Sequence, residues 1–283
     1  MVEFTEVGDR VWVARYPWFD ANVTLVGGER GLVAVDTHGS TAAGRAVVDD
    51  VRRLGAGEVT AVVNTHWHFD HTFGNAAFRE AYSDLPIHAH ELAVAELETG
   101  AARVRERYAE DPADPHSADV LATEVVLPDH PFSGVDLLDL GDRAVELVYL
   151  GRGHTSGDLV VNVPDAGVLL AGDLVEESAP PSFGPDSWPL EWPATLDLML
   201  GMVGERTLVV PGHGAPVDRE YVDRQRHEVG VVAQTAAELA GRGVPVDQAL
   251  ESAEWPWPRE RLAEAVGLVY AHLPRDQKRL PMA

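Results

Sequence analysis

The sequence predicts a layered α/β sandwich, in which strands and helices alternate through two similar halves of the chain. Short apolar runs rich in β-branched residues recur along the sequence, and amphipathic stretches with helical spacing lie between them. Neither a low-complexity linker nor a tandem repeat of fixed period divides the chain. We therefore expect residues 1–283 to form a single domain.

The first half begins with apolar strands separated by turn signals. A glycine pair at residues 27–28 joins two of these strands into a predicted hairpin, and the helix after them ends at Gly55, a typical C-cap residue. The predicted strands span residues 10–15, 22–26, 31–36 and 59–64, and the predicted helix spans residues 41–54. The last of these runs is too short for a helix, so it is interpreted as a buried strand.

The remainder of the chain repeats the alternation of strand, loop and helix. The pattern predicts helices at 74–82 and 91–110, and extended segments at 86–90, 146–150, 158–163, 167–172 and 207–210. From about residue 222 to residue 283 it is mainly helical, with amphipathic stretches at 224–241 and 258–272. We interpret this C-terminal segment as an outer layer of the sandwich that also contributes to a homodimer contact; a helical cap over the site is the alternative.

Composition excludes several classes of function. The chain has 46 acidic and 22 basic side chains, which give a formal net charge of -24, so a nucleic-acid partner is not expected. It has no cysteine, which excludes disulfides, thiolate metal ligands and a thiol nucleophile. Any bound metal must therefore be held by nitrogen and oxygen, which the 12 histidines and the carboxylates can supply.

The sequence gives no indication of a membrane segment. It lacks the roughly 18 consecutive apolar residues that a spanning helix requires. Acidic residues near the N-terminus stand where a secretory signal would carry positive charge. A cytoplasmic protein with a small-molecule substrate and no membrane partner is therefore expected.

A dense group of potential metal ligands follows the predicted strand at 59–64. Four of them, His66, His68, Asp70 and His71, lie within six residues. Three later apolar runs each end in a turn that carries glycine and one further ligand-type residue: His154, Asp173 and His213. Taken singly, such a histidine is more often a hydrogen-bonded turn residue, and such an aspartate a helix cap. Four segments with the same character in a cysteine-free chain favour a metal centre.

These motifs together resemble the metallo-β-lactamase-fold hydrolase superfamily, in its β-lactamase-like branch. The resemblance rests on the His-x-His-x-Asp-His element at 66–71, Gly-His-Thr-x-Gly-Asp at 153–158, Gly-Asp at 172–173 and Pro-Gly-His-Gly at 211–214, and it covers about residues 11–213. It implies a four-layer αββα sandwich with a dinuclear metal site on one edge, between the two β-sheets.

The resemblance also implies the ligands and their roles. His66, His68 and His154 would hold one metal, whereas Asp70, His71 and His213 would hold the other, with Asp173 bridging the two. Asp36 matches a supporting position behind the histidine-rich loop. The implied cofactor is two Zn²⁺ per chain, with iron or manganese as alternatives. A hydroxide held between the metals would attack a carbonyl or phosphoryl centre, and Asp70 would be the catalytic residue that orients it and shuttles its proton.

The substrate class is left broad by the resemblance. A zinc hydrolase acting on an ester, thioester, lactone or β-lactam is the leading interpretation, and an iron-dependent redox protein similar to persulfide dioxygenases is the alternative. Diiron members usually carry Glu where this chain has His68, which disfavours the alternative. A third interpretation, a binding scaffold with a structural metal, conflicts with seven ligand positions, because structural zinc is usually satisfied by four closed ligands.

Two further features complete the sequence-based predictions. The aromatic and proline-rich loops at 16–19 and 182–189 are interpreted either as substrate contacts or as core or lid packing. His88 and His90 alternate on an extended run with no matching family element, so a structural role is predicted for both.

Overall fold

A computed structural model describes residues 2–274 and residue 277. The described strands are β1 (Thr5–Gly8), β2 (Val11–Tyr16), β3 (Ala21–Gly28), β4 (Gly31–Val35), β5 (Val59–Val63), β6 (Ile87–His90), β7 (His130–Phe132), β8 (Val135–Asp139), β9 (Ala144–Tyr149), β10 (Leu159–Val163), β11 (Val168–Glu176) and β12 (Leu208–His213). The described helices are α1 (Thr41–Leu54), α2 (Phe69–Thr72), α3 (Asn75–Ala81), α4 (Glu91–Glu110), α5 (Ser117–Ala122), α6 (Trp192–Met202), α7 (Arg219–Gly241), α8 (Val246–Ala249) and α9 (Ala263–His272).

The strands form two halves that are continuous at one corner. The first half has the order β7-β6-β5-β4-β3, with β2 and β1 added beside β3, and the second has the order β12-β11-β10-β9-β8. The halves join where His213 of β12 pairs with Ala21 of β3. Pairing is parallel from β4 to β7 and between β11 and β12. Because β4 is antiparallel to β3, the carboxyl ends of β4 and β5 lie at the same edge as Ala21, where β12 also ends.

Alternation along the strands separates two apolar faces. On β4, Val33 and Val35 pack into a core shared with second-half residues such as Leu147 and Val161, so this core lies between the two halves. On the same strand, Leu32 and Ala34 face the opposite way, toward α1 and α3.

Helices cover both outer faces of the sandwich. Val47 and Val51 of α1 pack on the first half, whereas Trp192 of α6 and Val229 of α7 pack on the second half. The order of layers is therefore helix, sheet, sheet, helix, which confirms the four-layer αββα prediction. The described C-terminal helices α7 and α9 belong to this outer layer. The single-domain and homodimer expectations stay predictions.

Local sequence signals account for helices α1 and α4 but not for α6. Helix α1 begins after Ser40, whose hydroxyl accepts from the backbone N–H of Ala43, and it ends at Gly55, which has φ 67°. The range predicted for α4 is the range observed. Helix α6 had not been predicted, because its apolar residues lie on all sides and give no helical periodicity. None of the described helices combines the length and the apolar character that crossing a bilayer requires.

Candidate metal centre

The histidine-rich loop leaves the carboxyl end of β5 and is held from behind by Asp36. Asp36 follows β4 directly and adopts φ 63°, a left-handed conformation that aspartate tolerates better than most residues. Its carboxylate accepts from the backbone N–H and the hydroxyl of Thr65, each at 2.8 Å, and lies 2.9 Å from Nδ1 of His71. The supporting position implied for Asp36 is therefore matched by three buried contacts to the loop.

His154 lies in the loop between β9 and β10, which is shaped by its own side chains. Asp158 accepts from the backbone N–H of Thr155 at 2.7 Å and from its hydroxyl at 2.8 Å. The hydroxyl of Ser187 donates to the carbonyl of His154 at 2.7 Å. These bonds fix the backbone on which the imidazole is carried.

Asp173 does not end a strand, contrary to the sequence-based interpretation. Strand β11 continues to Glu176, and its pairing with β12 shifts register on both sides of Gly172. Gly172 has φ 52°, and a Cβ there would lie 2.8 Å from Cβ of Thr65, so the chain bulges without stopping. Glycine here was therefore a signal for a bulge and a close backbone approach, not for a turn.

All seven predicted ligand residues converge on one edge of the sandwich. One group, in which the potential ligand atoms lie within 4.8 Å of one another, contains His66, His68, His154 and Asp173. A second group contains Asp70, His71 and His213. A third group places Glu176 with Asp173 and His213, so Asp173 is adjacent to both of the predicted metal positions.

In the neutral form of both rings, the hydrogen bonds of the second group direct two imidazole lone pairs toward each other. Nδ1 of His213 donates to the carbonyl of Phe19 at 2.8 Å, and Nδ1 of His71 faces the carboxylate of Asp36, so both Nδ1 atoms carry the hydrogen. Their Nε2 atoms are 3.1 Å apart. A cation between them would bind both lone pairs, so this arrangement fits a metal.

The first group contains buried polar atoms that face the site and make no hydrogen bond within the described residues. These atoms are Nε2 of His66 and Oδ1 of Asp173. Nδ1 of His66 lies 3.1 Å from the hydroxyl of Thr65, which leaves Nε2 to face the site. Buried polar groups are costly when unpaired, so a bound cation would satisfy these atoms as well. The donor set is nitrogen and oxygen only, which suits zinc and also iron or manganese.

Opposite charges stabilise one another in the cluster. Burial lowers the pKa of His213, but the carboxylates of Asp173 and Asp70 outweigh it and raise that pKa to about 10. A similar balance raises the pKa of His71 well above its ordinary value. Burial raises the pKa of Asp173, yet His213 and neighbouring imidazoles outweigh burial and hold it well below its usual range. Metal binding would displace protons from the imidazoles, so metal affinity would rise with pH.

A cavity of about 740 Å³ opens over the candidate metal centre. Side chains of all four ligand-bearing segments reach it, including Asp70, His154, Asp173 and His213. The cavity also has an apolar wall, which includes Phe19, Trp67, Phe69, Val104, Pro180 and Pro185. The site can therefore admit a small molecule with an apolar part next to the clustered ligands.

Both aromatic loops divide their residues between the cavity and the core. In the first loop, Phe19 is 44% exposed and lines the cavity, whereas Trp18 stacks on His116 with ring centroids 3.9 Å apart. In the second loop, residues 184–186 line the cavity, whereas Phe183 packs against Trp192. The packing interpretation therefore holds for part of each loop, and the cavity-lining residues keep substrate contact as a prediction.

His88 and His90 lie outside the cavity and outside the ligand groups of the described chain. Nδ1 of His88 is 3.1 Å from Asp136, and the ring of His90 stacks on Tyr149 with centroids 3.7 Å apart. These contacts are consistent with the structural role predicted for both histidines.

Comparison with known proteins identifies the family. A family model described as the metallo-beta-lactamase superfamily matches residues 16–223, which is well over half of the chain. The chain belongs to the metallo-β-lactamase superfamily. Among its relatives, a "Metallo-beta-lactamase type 2" from Bacillus cereus is 27% identical over 226 residues, covering 77% of this chain and 78% of that protein. A "Linear primary-alkylsulfatase" from a Pseudomonas strain is 24% identical over 82% of this chain and 49% of its own length.

Solved structures show the same fold. A metallo-beta-lactamase from Pontibacter korlensis has a TM-score of 0.64 at 20% identity, covering 81% of this chain and 99% of its own. The inverting sec-alkylsulfatase Pisa1 from Pseudomonas sp. has a TM-score of 0.76 at 19% identity and covers 95% of this chain, which in turn spans half of that protein. The second comparison, at 95% coverage, therefore includes most of the C-terminal segment of this chain in the shared fold.

Two acidic residues of this superfamily member were not predicted from the sequence. Asp186 accepts from Nε1 of Trp67 at 2.6 Å and lies 3.0 Å from Nε2 of His68, which leaves Nδ1 of His68 for a metal. Burial raises the pKa of Asp186, but the hydrogen bond with His68 and the positive charge of that imidazole outweigh burial and hold the pKa of Asp186 below its usual range. An aspartate in a proline-rich loop more than 100 residues from its partners carries no local signal.

Glu176 is the second of these residues. It is buried, its carboxylate accepts from the hydroxyl of Ser178 at 2.6 Å, and its own N–H donates to the side chain of Gln225 at 3.0 Å. Burial and the nearby charge of Asp173 raise its pKa to about 7. Like Asp173, Glu176 is an acidic residue close to an apolar run and could have been considered as a ligand. It was not considered because the strand was predicted to end at residue 172.

Replacing Asp186 with alanine is expected to weaken metal binding about 10- to 100-fold, because loss of a partner that orients a ligand histidine has effects of that size. Titration against a chromophoric chelator would measure the affinity. Ser182→Ala is a suitable control, since Ser182 lines the same cavity from the same loop and makes no hydrogen bond within the described chain. Unchanged affinity in Asp186→Ala would show that His68 is oriented by other contacts.

Proposed function

We propose that the protein is a dinuclear zinc hydrolase that cleaves a small ester, thioester, lactone or β-lactam at its carbonyl carbon. The observation that carries this proposal is the convergence of two ligand groups, with Asp173 adjacent to both, at the floor of a cavity with an apolar wall. Membership of the superfamily and the relatives named as β-lactamases support it.

We assign the residues of the site to metal binding or to substrate binding according to their positions. His66, His68 and His154 would hold one metal, Asp70, His71 and His213 the other, and Asp173 both. Zinc bound there would supply Lewis-acid activation of water and of the substrate carbonyl at neutral pH. Trp67, Phe69 and Phe19 would exclude water from the apolar part of the substrate.

Asp70 would be the catalytic residue of this reaction. It is the second residue of the short helix α2, and its carboxylate lies 3.4 Å from Nε2 of His213 and 3.6 Å from Nε2 of His71. It also lines the cavity, so it can accept a proton from the attacking water and deliver it to the leaving group. Asp36 would position His71 without touching substrate.

A sulfuric ester is the second candidate substrate. The structural match to the sec-alkylsulfatase covers more of this chain, and with a higher TM-score, than the match to the metallo-β-lactamase from Pontibacter korlensis. Attack would then occur at a sulfate group or at the carbon that bears it. The two candidates share the metal centre and differ in the bond that is cleaved.

Metal analysis joined to a hydrolysis screen would test the proposal. We expect close to two zinc ions per chain and hydrolysis of at least one carbonyl substrate, lost on chelation and restored by zinc. Phenyl esters, thioesters, lactones, β-lactams and alkyl sulfates should be compared. Cleavage of alkyl sulfates alone would favour the second candidate, whereas iron with a visible absorption band would favour a redox protein. A protein that binds no metal would overturn the proposal.

Asp70→Ala should lower kcat/KM about 10- to 100-fold, because proton transfer by a positioned carboxylate commonly contributes at least that much. Asp49→Ala is the matched control, since Asp49 is an exposed carboxylate on α1, remote from the cavity. Equal activity of the two variants would remove Asp70 from the mechanism.

A further inference from the structure

The cavity over the metal centre has a second chemical feature that the proposed hydrolysis does not use. Three arginines line it: Arg103 and Arg107 from α4, and Arg261 from the C-terminal segment. All three are exposed to solvent. In a chain of net charge -24, three guanidinium groups around one cavity oppose the overall charge of the protein.

These arginines lack carboxylate partners within the described part of the chain. More than half of the other described arginines form ion pairs, as Arg45 does with Glu80 and Arg226 does with Asp197. No such pair is formed by Arg103, Arg107 or Arg261 with any described residue. Their charge is therefore available to a ligand.

The acidic residues that line the same cavity interact with other groups and not with the three arginines. Asp70, Asp173 and Glu176 belong to the groups of potential metal ligands. Asp186 is bonded to Trp67 and faces His68. The cavity therefore offers an apolar lining and three arginines whose charges are not neutralised by its carboxylates.

The positions of the arginines are set by neighbouring contacts. The guanidinium of Arg107 lies 5.7 Å from the ring centroid of Phe69, the residue between His68 and Asp70, and 5.3 Å from that of Tyr108. Arg103 is one helical turn before Arg107, so the two side chains share a face of α4. Arg261 precedes Leu262, which is fully buried in the apolar cluster that contains Trp192 and Val229.

We propose that the three arginines bind an anionic oxygen group of the substrate, a carboxylate, sulfate or phosphate carried on an apolar body. The apolar body would lie against the aromatic wall, with the anion on the arginines and the cleaved bond at the metal centre. Guanidinium groups suit this role because they stay charged and donate several hydrogen bonds to such anions. The position of the cleaved bond rests on the proposed hydrolase function, whereas binding of the anion does not.

A pair of esters that differ only in the terminal group would test selectivity. We expect zinc-loaded protein to prefer monophenyl adipate over phenyl hexanoate. In the triple variant Arg103→Gln, Arg107→Gln, Arg261→Gln, the ratio of the two kcat/KM values should fall about tenfold, since exposed charge pairs have modest individual effects. The ratio should also fall with added salt in the unaltered protein and much less in the variant.

The matched control is the triple variant Arg206→Gln, Arg224→Gln, Arg242→Gln. These arginines are also exposed and lack described ion pairs, one of them rests on a tyrosine ring as Arg107 does, and none lines the cavity. The change in net charge is the same, so the adipate-to-hexanoate ratio should stay within twofold of the unaltered protein. A fall equal to that of the cavity variant would show a general charge effect and overturn the proposal.

A binding experiment separates this proposal from the hydrolase function. Calorimetry with hexanoate, hexyl sulfate and hexan-1-ol on the purified protein should show tighter binding of at least one anion than of the alcohol, weakened about tenfold in the cavity variant. Comparison of hexanoate with hexyl sulfate identifies the favoured anion. Arginine-dependent binding without hydrolysis of any ester, thioester, lactone or β-lactam would overturn the proposed function alone. Equal binding of anions and alcohol, or anion binding unaffected by the cavity variant, would overturn the anion site.

Discussion

Asp173→Ala is expected to abolish metal-dependent hydrolysis, with kcat/KM falling roughly 10³- to 10⁴-fold. The Asp173 carboxylate lies 3.3 Å from Nε2 of His71 and 3.2 Å from Nε2 of His213, and it approaches His66 and His154 within 3.8 Å. It therefore contacts both ligand groups, and its loss would disturb both proposed metal positions. Metal ions contribute several kcal/mol of transition-state stabilisation, and about 1.4 kcal/mol corresponds to a tenfold change in rate.

Metal content and thermal unfolding should be measured on the same Asp173→Ala sample. We expect fewer than two zinc ions per chain, together with a folded protein. Asp50→Ala is the control for a lost buried carboxylate, because Asp50 is buried far from the cavity, pairs with Arg53 and accepts from the hydroxyl of Tyr16 at 3.1 Å. Asp50→Ala should lower the free energy of unfolding yet keep its zinc. Full zinc occupancy and activity in Asp173→Ala would contradict the bridging role.

The sequence predicted those parts of the molecule whose signals are local. Helix α1 lies between Ser40 and Gly55 because both caps stand next to the apolar pattern that they bound. The ligands between His66 and His71 lie within six residues of one another, so their proximity could be predicted from spacing alone. The four layers followed from the resemblance, whereas the alternation of strands and helices predicted only a layered α/β sandwich.

The parts that could not be predicted depend on contacts between distant segments. Asp186 reaches Trp67 across 119 positions of sequence, and nothing near it indicates that contact. Arg261 joins the cavity from a segment whose helical pattern favoured an outer layer, left a cap over the site as the alternative, and indicated no particular residue. Gly172 permits both a turn and a bulge, and only the position of Thr65 on the neighbouring loop decides between them.

The second large effect is expected from Gly212→Ala. A Cβ on Gly212 would lie 1.8 Å from Oδ1 of Asp173, far inside van der Waals contact, so the carboxylate or β12 must move. Because His213 follows directly, either movement separates Asp173 from its imidazole partners. Misplacement of a reacting group by about 1 Å can cost 10²-fold, so we expect kcat/KM to fall roughly 10²- to 10³-fold with weaker zinc binding.

Gly201→Ala provides the matched control for this substitution. Gly201 lies in α6, and an added Cβ there would have no described atom within 4 Å. Alanine is favoured over glycine inside a helix by roughly 0.5–1 kcal/mol, so Gly201→Ala should keep its activity and melt at the same or a higher temperature. If Gly212→Ala also kept full activity and zinc, the carboxylate of Asp173 would have to tolerate displacement, and a bridging role that depends on its position would be excluded.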